Sequence, residues 1–411
     1  MAILMDWRMR AAACTLFVSG PCVANLIEDS QTALELRNFY MNRDFRQSTA
    51  AQAKAEDWAQ GAMFTYSSGF TDGWAGIGFD IAALAALRLD SGNGTSGTGV
   101  LPTSPTSGHS PSLSGSAMPT LKLKAGKTEA RLGTLWPQLP VLYRNDTRLL
   151  PQSFYGGLVQ SQPSENLKLV GARVESTRLR DSTGRDEMTV FGISPAISSD
   201  RMYLAGAEYQ LTPGLQLSYY TSELKDIYRQ SFYNLVARRT FEPFTLSADI
   251  RYFDSGDTGS RRGGDVDNRN LNGLFSIAFQ GHAFTLGYQK LSGDSAFPLI
   301  TGSDPYSANL MTSQPFIRAG ETSWQIRHDF NFVAIGIPGL SIMNRYAKGA
   351  SIARALGSDD QEWERDLDVK YVIQSGALRD LYLMWRNVSY RSRYANDIDE
   401  NRLIIGYKFK F

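Results

Sequence analysis

The basic side chains Lys122, Lys124, Arg131, Arg327, Arg345, Lys370, Arg386 and Arg402 fall on the polar phase of segments whose opposite phase is Leu, Ile, Trp or Phe. Cations recurring in this way could line a water-filled lumen and concentrate anions there. The guanidinium fork also matches the two oxygens of a carboxylate. For any one of these residues the plainer reading is a solvated side chain paired with an acid such as Asp329, Asp366 or Asp368. For the set, recurring along the C-terminal half, a ladder of cations explains more.

A second locus is Leu139–Phe154, LPVLYRNDTRLLPQSF. Pro137, Pro140 and Pro151 rule out a continuous central strand here. Arg144, Asp146 and Arg148 cluster beside Tyr143. Such a loop either lies outside with its charges in water or folds into a lumen and narrows it, setting selectivity with a few charges.

Other chemistry finds little support. The three histidines, His109, His282 and His328, lack metal-ligand spacing. A Ser/His/Asp triad is defined by geometry rather than composition, so the abundance of Ser and Asp carries no weight. Gly76/Gly78 and Gly97/Gly99 precede no helix and form no phosphate cradle. The sequence predicts no enzyme, no metal and no cofactor.

The elements that would position the cations alternate with a period of two. Leu403, Ile405, Tyr407, Phe409 and Phe411 share one face; Arg402, Gly406, Lys408 and Lys410 share the other, with Ile404 out of pattern. Leu367, Val369, Tyr371 and Ile373 oppose Asp366, Asp368 and Lys370. Leu381, Leu383 and Trp385 oppose Tyr382 and Arg386, while Trp324, Ile326 and Phe330 oppose Ser323, Gln325, Arg327 and Asp329. Further strand-like runs are 121–127, 167–174, 202–211, 215–221, 244–253, 271–279 and 284–290. Tight connections (Thr212-Pro213-Gly214, Glu242-Pro243, Gln280-Gly281-His282, Pro338-Gly339, Ser375-Gly376) alternate with long polar ones near 254–270, 291–320, 348–364 and 391–400. A barrel crossing a membrane alternates its connections in this way. A cation on the lipid face at mid-membrane would cost about 2–4 kcal/mol, so the polar phase must face the lumen.

The N-terminus supports export. Arg8 and Arg10 precede an apolar run from Ala11 to Gly20 and then Pro21-Cys22-Val23-Ala24, the pattern of a signal peptide, residues 1–24, cut after Ala24. An acylated Cys22 is the weaker alternative. Both cysteines, Cys14 and Cys22, lie in this leader, so the exported chain must hold together by pairing and packing alone. The whole chain carries +1; losing Arg8, Arg10 and Asp6 with the leader makes it neutral, which gives no hint of nucleic-acid binding. The longest uninterrupted apolar run after the leader, Ile81–Leu87, is too short for a helical membrane span. Ser91–Pro119, rich in Ser, Gly, Thr and Pro, reads as an exposed mobile loop rather than a linker. The fold class is therefore all-β, a transmembrane antiparallel barrel over 25–411. Its length allows about 16 to 18 strands, a range wide enough for an aqueous channel.

Several blocks resemble the OprD-type porins, the outer-membrane carboxylate channels. They are Ile27–Asp44, Lys127-Thr-Glu, Asp146-Thr-Arg-Leu-Leu-Pro-Gln152, Glu223–Gln230, Phe284–Lys290, Gly320-Glu-Thr-Ser-Trp324, Val369–Gly376 and Asn401-Arg-Leu-Ile404. The resemblance implies 18 strands, a pore narrowed by inward-folded loops, and uptake of small carboxylates along a basic ladder. That ladder would include Lys370, Arg386 and Arg402, with Arg148 at the constriction and Arg43 near it. Met384 stands where some relatives carry another ladder Arg. Gln314-Pro-Phe-Ile-Arg318 is basic where channels for basic amino acids look acidic, which resembles the branch for simple or aromatic monocarboxylates.

The partners implied are small carboxylates, outer-membrane lipid and lipopolysaccharide, and the barrel-assembly machinery through the strand ending in Phe411; a weak homo-oligomer stays open. Alternatives are a basic amino-acid or peptide channel of the same family, a barrel-borne hydrolase or adhesin, and a soluble secreted β protein.

Overall fold

The greasy phase of the last strand, Ile398–Lys410, faces outward, and its other edge is taken by the first strand, Gln31–Phe45. Pairing runs antiparallel from Ala33↔Lys410 to Phe45↔Ile398. This seam closes an 18-stranded sheet into a barrel. The computed structural model describes residues 24–91, 94–104, 106–193, 195–353 and 360–411. Apart from Ala24, the expected leader lies outside them.

Leu403, Ile405, Trp385, Leu383, Trp324 and Ile326 are all exposed on the outer wall, as alternation requires of a lipid-facing surface. Toward the end that carries both termini, Phe279, His282, Phe284, His328 and Phe330 form a stacked aromatic cluster, with His282 Nδ1 and His328 Nε2 3.0 Å apart. An aromatic belt of this kind suits a membrane–water interface. The connections at this end are short. Gly281, at φ +84°, turns one of them where a Cβ would sit 2.6 Å from the Ala334 methyl.

At the far end the connections are long, and several of them fold back into the barrel. Residues 136–152 carry a two-residue hairpin, Gln138–Leu139 against Leu142–Tyr143, and bury Leu139, Val141, Leu142, Leu149 and Leu150. Leu149 rests on the bare backbone of Gly61, where a Cβ would come within 2.9 Å of it. Residues 293–321 likewise bury Phe297, Ile300, Met311, Phe316 and Ile317. Inward-facing Phe39, Met41, Phe232 and Phe253 receive these loops. Part of the lumen wall is therefore as apolar as the outside.

Two expectations need correction. The stretch 91–119 is not one exposed loop: Leu113–Ala125 is a strand, and Val100 and Leu101 are buried against the inner wall. Its small residues alternate too weakly to announce the strand. The long connections near 254–270, 348–364 and 391–400 are also shorter than read, because strands run on to Asp257, Ile352 and Ser392.

Candidate functional site

Alternation places the C-terminal cations and their acids in two neighbouring rows on the inner wall. One row runs Met41, Arg402, Arg386, Asp368, Met343, Asp329 across adjacent strands. The next, two residues nearer the far end, runs Arg43, Glu400, Val388, Asp366, Arg345, Arg327. Lys370 sits one row closer to the termini, 4.8 Å from the Tyr382 ring centroid.

Each wall arginine has a wall carboxylate. Arg43 donates to Glu400 at 2.7 and 2.9 Å, and Arg386 to Asp368 at 2.5 and 2.6 Å. Arg345 donates to Asp366 at 2.8 Å and Arg327 to Asp329 at 2.6 and 2.7 Å. Arg402 donates to Glu400, and both are fully buried. Arg43 and Arg402 share Glu400 while the other three each have an acid of their own, so most of the wall charge is paired, as the plainer reading of single residues held.

The positive surplus comes from the loops. Arg148, from residues 136–152, donates its Nε–H to the Thr98 carbonyl. Arg180, which sequence reasoning missed, donates to Thr147 Oγ1. Neither has an ion pair among the described residues. Both line a cavity of about 350 Å³ with Asn145, Thr147, Asp304 and Thr312. Burial pushes the Asp304 carboxyl up to about 6, against the pull of Arg180 and Arg148 and of the Asn145 amide that donates to it. Nothing in Arg178-Leu179-Arg180 marks it in sequence, because it lies just past a strand end where periodicity stops.

The remaining candidates scatter. Arg144 stacks over Trp136 and lies 3.8 Å from Asp146. Asp146 in turn accepts from Arg37, another lumen arginine the sequence did not single out, whose Nη1 also donates to the Arg148 carbonyl. Lys122, Lys124 and Arg131 lie toward the terminal end, away from the constriction. Lys122 is buried, bridged to Asp80 at 2.8 Å and bonded to Ser67 and Ser68, so it braces a turn. Arg131 pairs with Glu129, while Lys124 lies exposed over Phe70. Arg318 donates to the Tyr394 hydroxyl.

A closed barrel with a greasy exterior and ion-paired rows inside, narrowed by inward loops, defines a membrane channel. The model of the outer membrane porins of the OprD family matches residues 24–411, and the chain belongs to that family. It is 37% identical to the porin-like protein GalP of Pseudomonas putida KT2440 over 385 residues, 93% of this chain and 92% of that one. A BenF-like porin from Pseudomonas fluorescens Pf-5 superposes with a TM-score of 0.92 at 41% identity, covering 94% of this chain and all of that one. Pseudomonas aeruginosa OpdK with vanillate superposes at 0.89 with 36% identity and the same coverage. The protein is a substrate-specific porin of the Gram-negative outer membrane, a channel rather than an enzyme. Barrels of this kind keep short turns in the periplasm and long loops outside, which assigns the end with both termini to the periplasmic side.

Proposed function

We propose that this porin admits small monocarboxylates, including aromatic acids of the benzoate kind, and that residues 1–24 are its export leader. The observation that carries the reading is the unneutralised pair Arg148 and Arg180, brought by two loops to one cavity above rows of paired arginines. An anion approaching from outside would meet this surplus first and then pass along Arg43 and Arg386, whose pairs leave edges for exchange, to Lys370 over the Tyr382 ring. Two solved relatives support the class of solute: one is described as BenF-like and the other holds vanillate. Asp304, an anion above about pH 6, favours a second solute, a basic amino acid whose amine would bind this carboxylate while its own carboxylate meets Arg148.

Liposomes holding the purified porin decide between these. Benzoate and its hydroxylated analogues should enter faster than arginine, and Arg180→Ala should slow benzoate more than a neutral sugar. Faster arginine entry in the unsubstituted protein would overturn the proposal.

A further inference from the structure

Arg402 occupies a ladder position by sequence, but its surroundings are those of a clamp. Its side chain is fully buried. Nε–H donates to Glu400, whose other oxygen is already held by Arg43. Nη1 donates to the Thr147 carbonyl at 3.2 Å and Nη2 to the Thr312 carbonyl at 3.4 Å. Thr147 belongs to the inward loop 136–152 and Thr312 to the inward loop 293–321.

Both threonines are nodes of wider networks. Thr147 Oγ1 accepts from Arg148 and from Arg180, tying in the loop that follows the strand Leu167–Arg178. The Thr312 N–H donates to Asp366 at 3.2 Å, its Oγ1 accepts from Arg345, and the next two N–H groups, of Ser313 and Gln314, both donate to Glu364 at 2.7 and 2.9 Å. One guanidinium therefore joins two independently anchored loops to a single point on the wall.

We infer that Arg402 is a positioning residue that sets the aperture by fastening both loops, and that it does not itself pass the anion along. A guanidinium holds donors aimed in three directions in one plane; an ammonium is a compact point charge on a flexible stem. Charge alone cannot replace it. Arg386, its neighbour across the strands, keeps a partly open face and remains available to solute.

Planar-bilayer recordings of Arg402→Lys and Arg402→Gln separate the two roles. A clamp predicts that both variants raise unitary conductance and open-channel current noise. Lys should also keep the anion-over-cation preference while letting through solutes the original pore excludes. Amide exchange at residues 312–314 should speed up in both. A ladder rung predicts the reverse: Lys indistinguishable from the original, and Gln losing anion preference without any gain in conductance. That result would overturn the inference. If Gln does not assemble, Lys alone decides, because the two roles assign it opposite outcomes. Failure of the carboxylate proposal would change which solutes enter and leave these conductance changes standing.

Discussion

Arg386 and Arg402 stand directly opposite each other on adjacent strands, two cations at a spacing where like charges repel, yet each reaches sideways to a different carboxylate. Arg386 takes Asp368 and Arg402 takes Glu400. The wall tolerates a dense row of arginines because the acids are interleaved with them rather than gathered elsewhere.

Asp368→Asn should leave Arg386 unneutralised and raise anion preference. At an effective dielectric near 20, removing a charge at contact is worth up to about 4 kcal/mol, and exposure and salt reduce that to about 1 kcal/mol, roughly fivefold in relative permeability. Reversal potentials in a potassium chloride gradient measure it. A shift toward cations would show that Arg386 needs its partner to stay in place.

Asp304 makes uptake depend on pH. Its carboxyl titrates near 6, so above that pH it is an anion and subtracts from the surplus of Arg148 and Arg180; below, it is neutral. Entry of benzenesulfonate, which stays ionised throughout, should therefore rise from pH 7.5 to pH 5, while Asp304→Asn gives a flat profile at the higher level. Stability follows the same direction. Because the folded value lies above the ordinary one, the native state favours the proton, and stability is lost as pH climbs from about 4 to about 6. Asp304→Asn should remove that loss too.

Lys122→Met leaves the half-buried Asp80 without its closest cation; breaking a fully buried pair costs about 3–5 kcal/mol, and solvent reaching Asp80 reduces that. Arg131, 3.7 Å from Asp80, should soften the loss. The urea midpoint read by the mobility shift of folded barrel on gels should fall, with solute preference unchanged. Altered preference at constant stability would make Lys122 a rung after all.

Leu149→Ala removes the side chain that seats an inward loop on Gly61 and should cost about 2–5 kcal/mol locally. Unitary conductance should rise as the loop loosens, while the barrel itself still migrates as folded protein. Gly61→Ala pushes from the other side of the same contact and should act in the same direction.

The barrel was legible wherever one face meets lipid and the other meets water. The strands 360–372, 382–392 and 398–410 announce themselves by that contrast. Gln31–Phe45 and Tyr228–Phe241 do not, because their inner positions Phe39, Met41, Tyr228 and Phe232 cover themselves with folded-in loops and become apolar on both sides. Ile404, out of pattern in sequence, is the same effect in a single residue: it points inward and packs in the cluster that contains Phe39. The site was half legible. Wall cations follow from phase, but which acids neutralise them follows from register, and Arg37 and Arg180 depend on how loops close over them. Arg402 was correctly placed facing inward; that it would be fully enclosed could not be read from its phase.

The apolar inner cluster leaves the pore one-sided. With Phe232 and Phe253 covered by the loop that carries Phe297, the open lumen lies beside the arginine-bearing strands, and a solute is expected to cross with its charged edge turned toward them. Mirror-image forms of a small chiral acid then present different substituents to the loop backbone opposite. The initial entry rates of the two hands into liposomes should therefore differ, and equal rates would show that the solute turns freely in the pore.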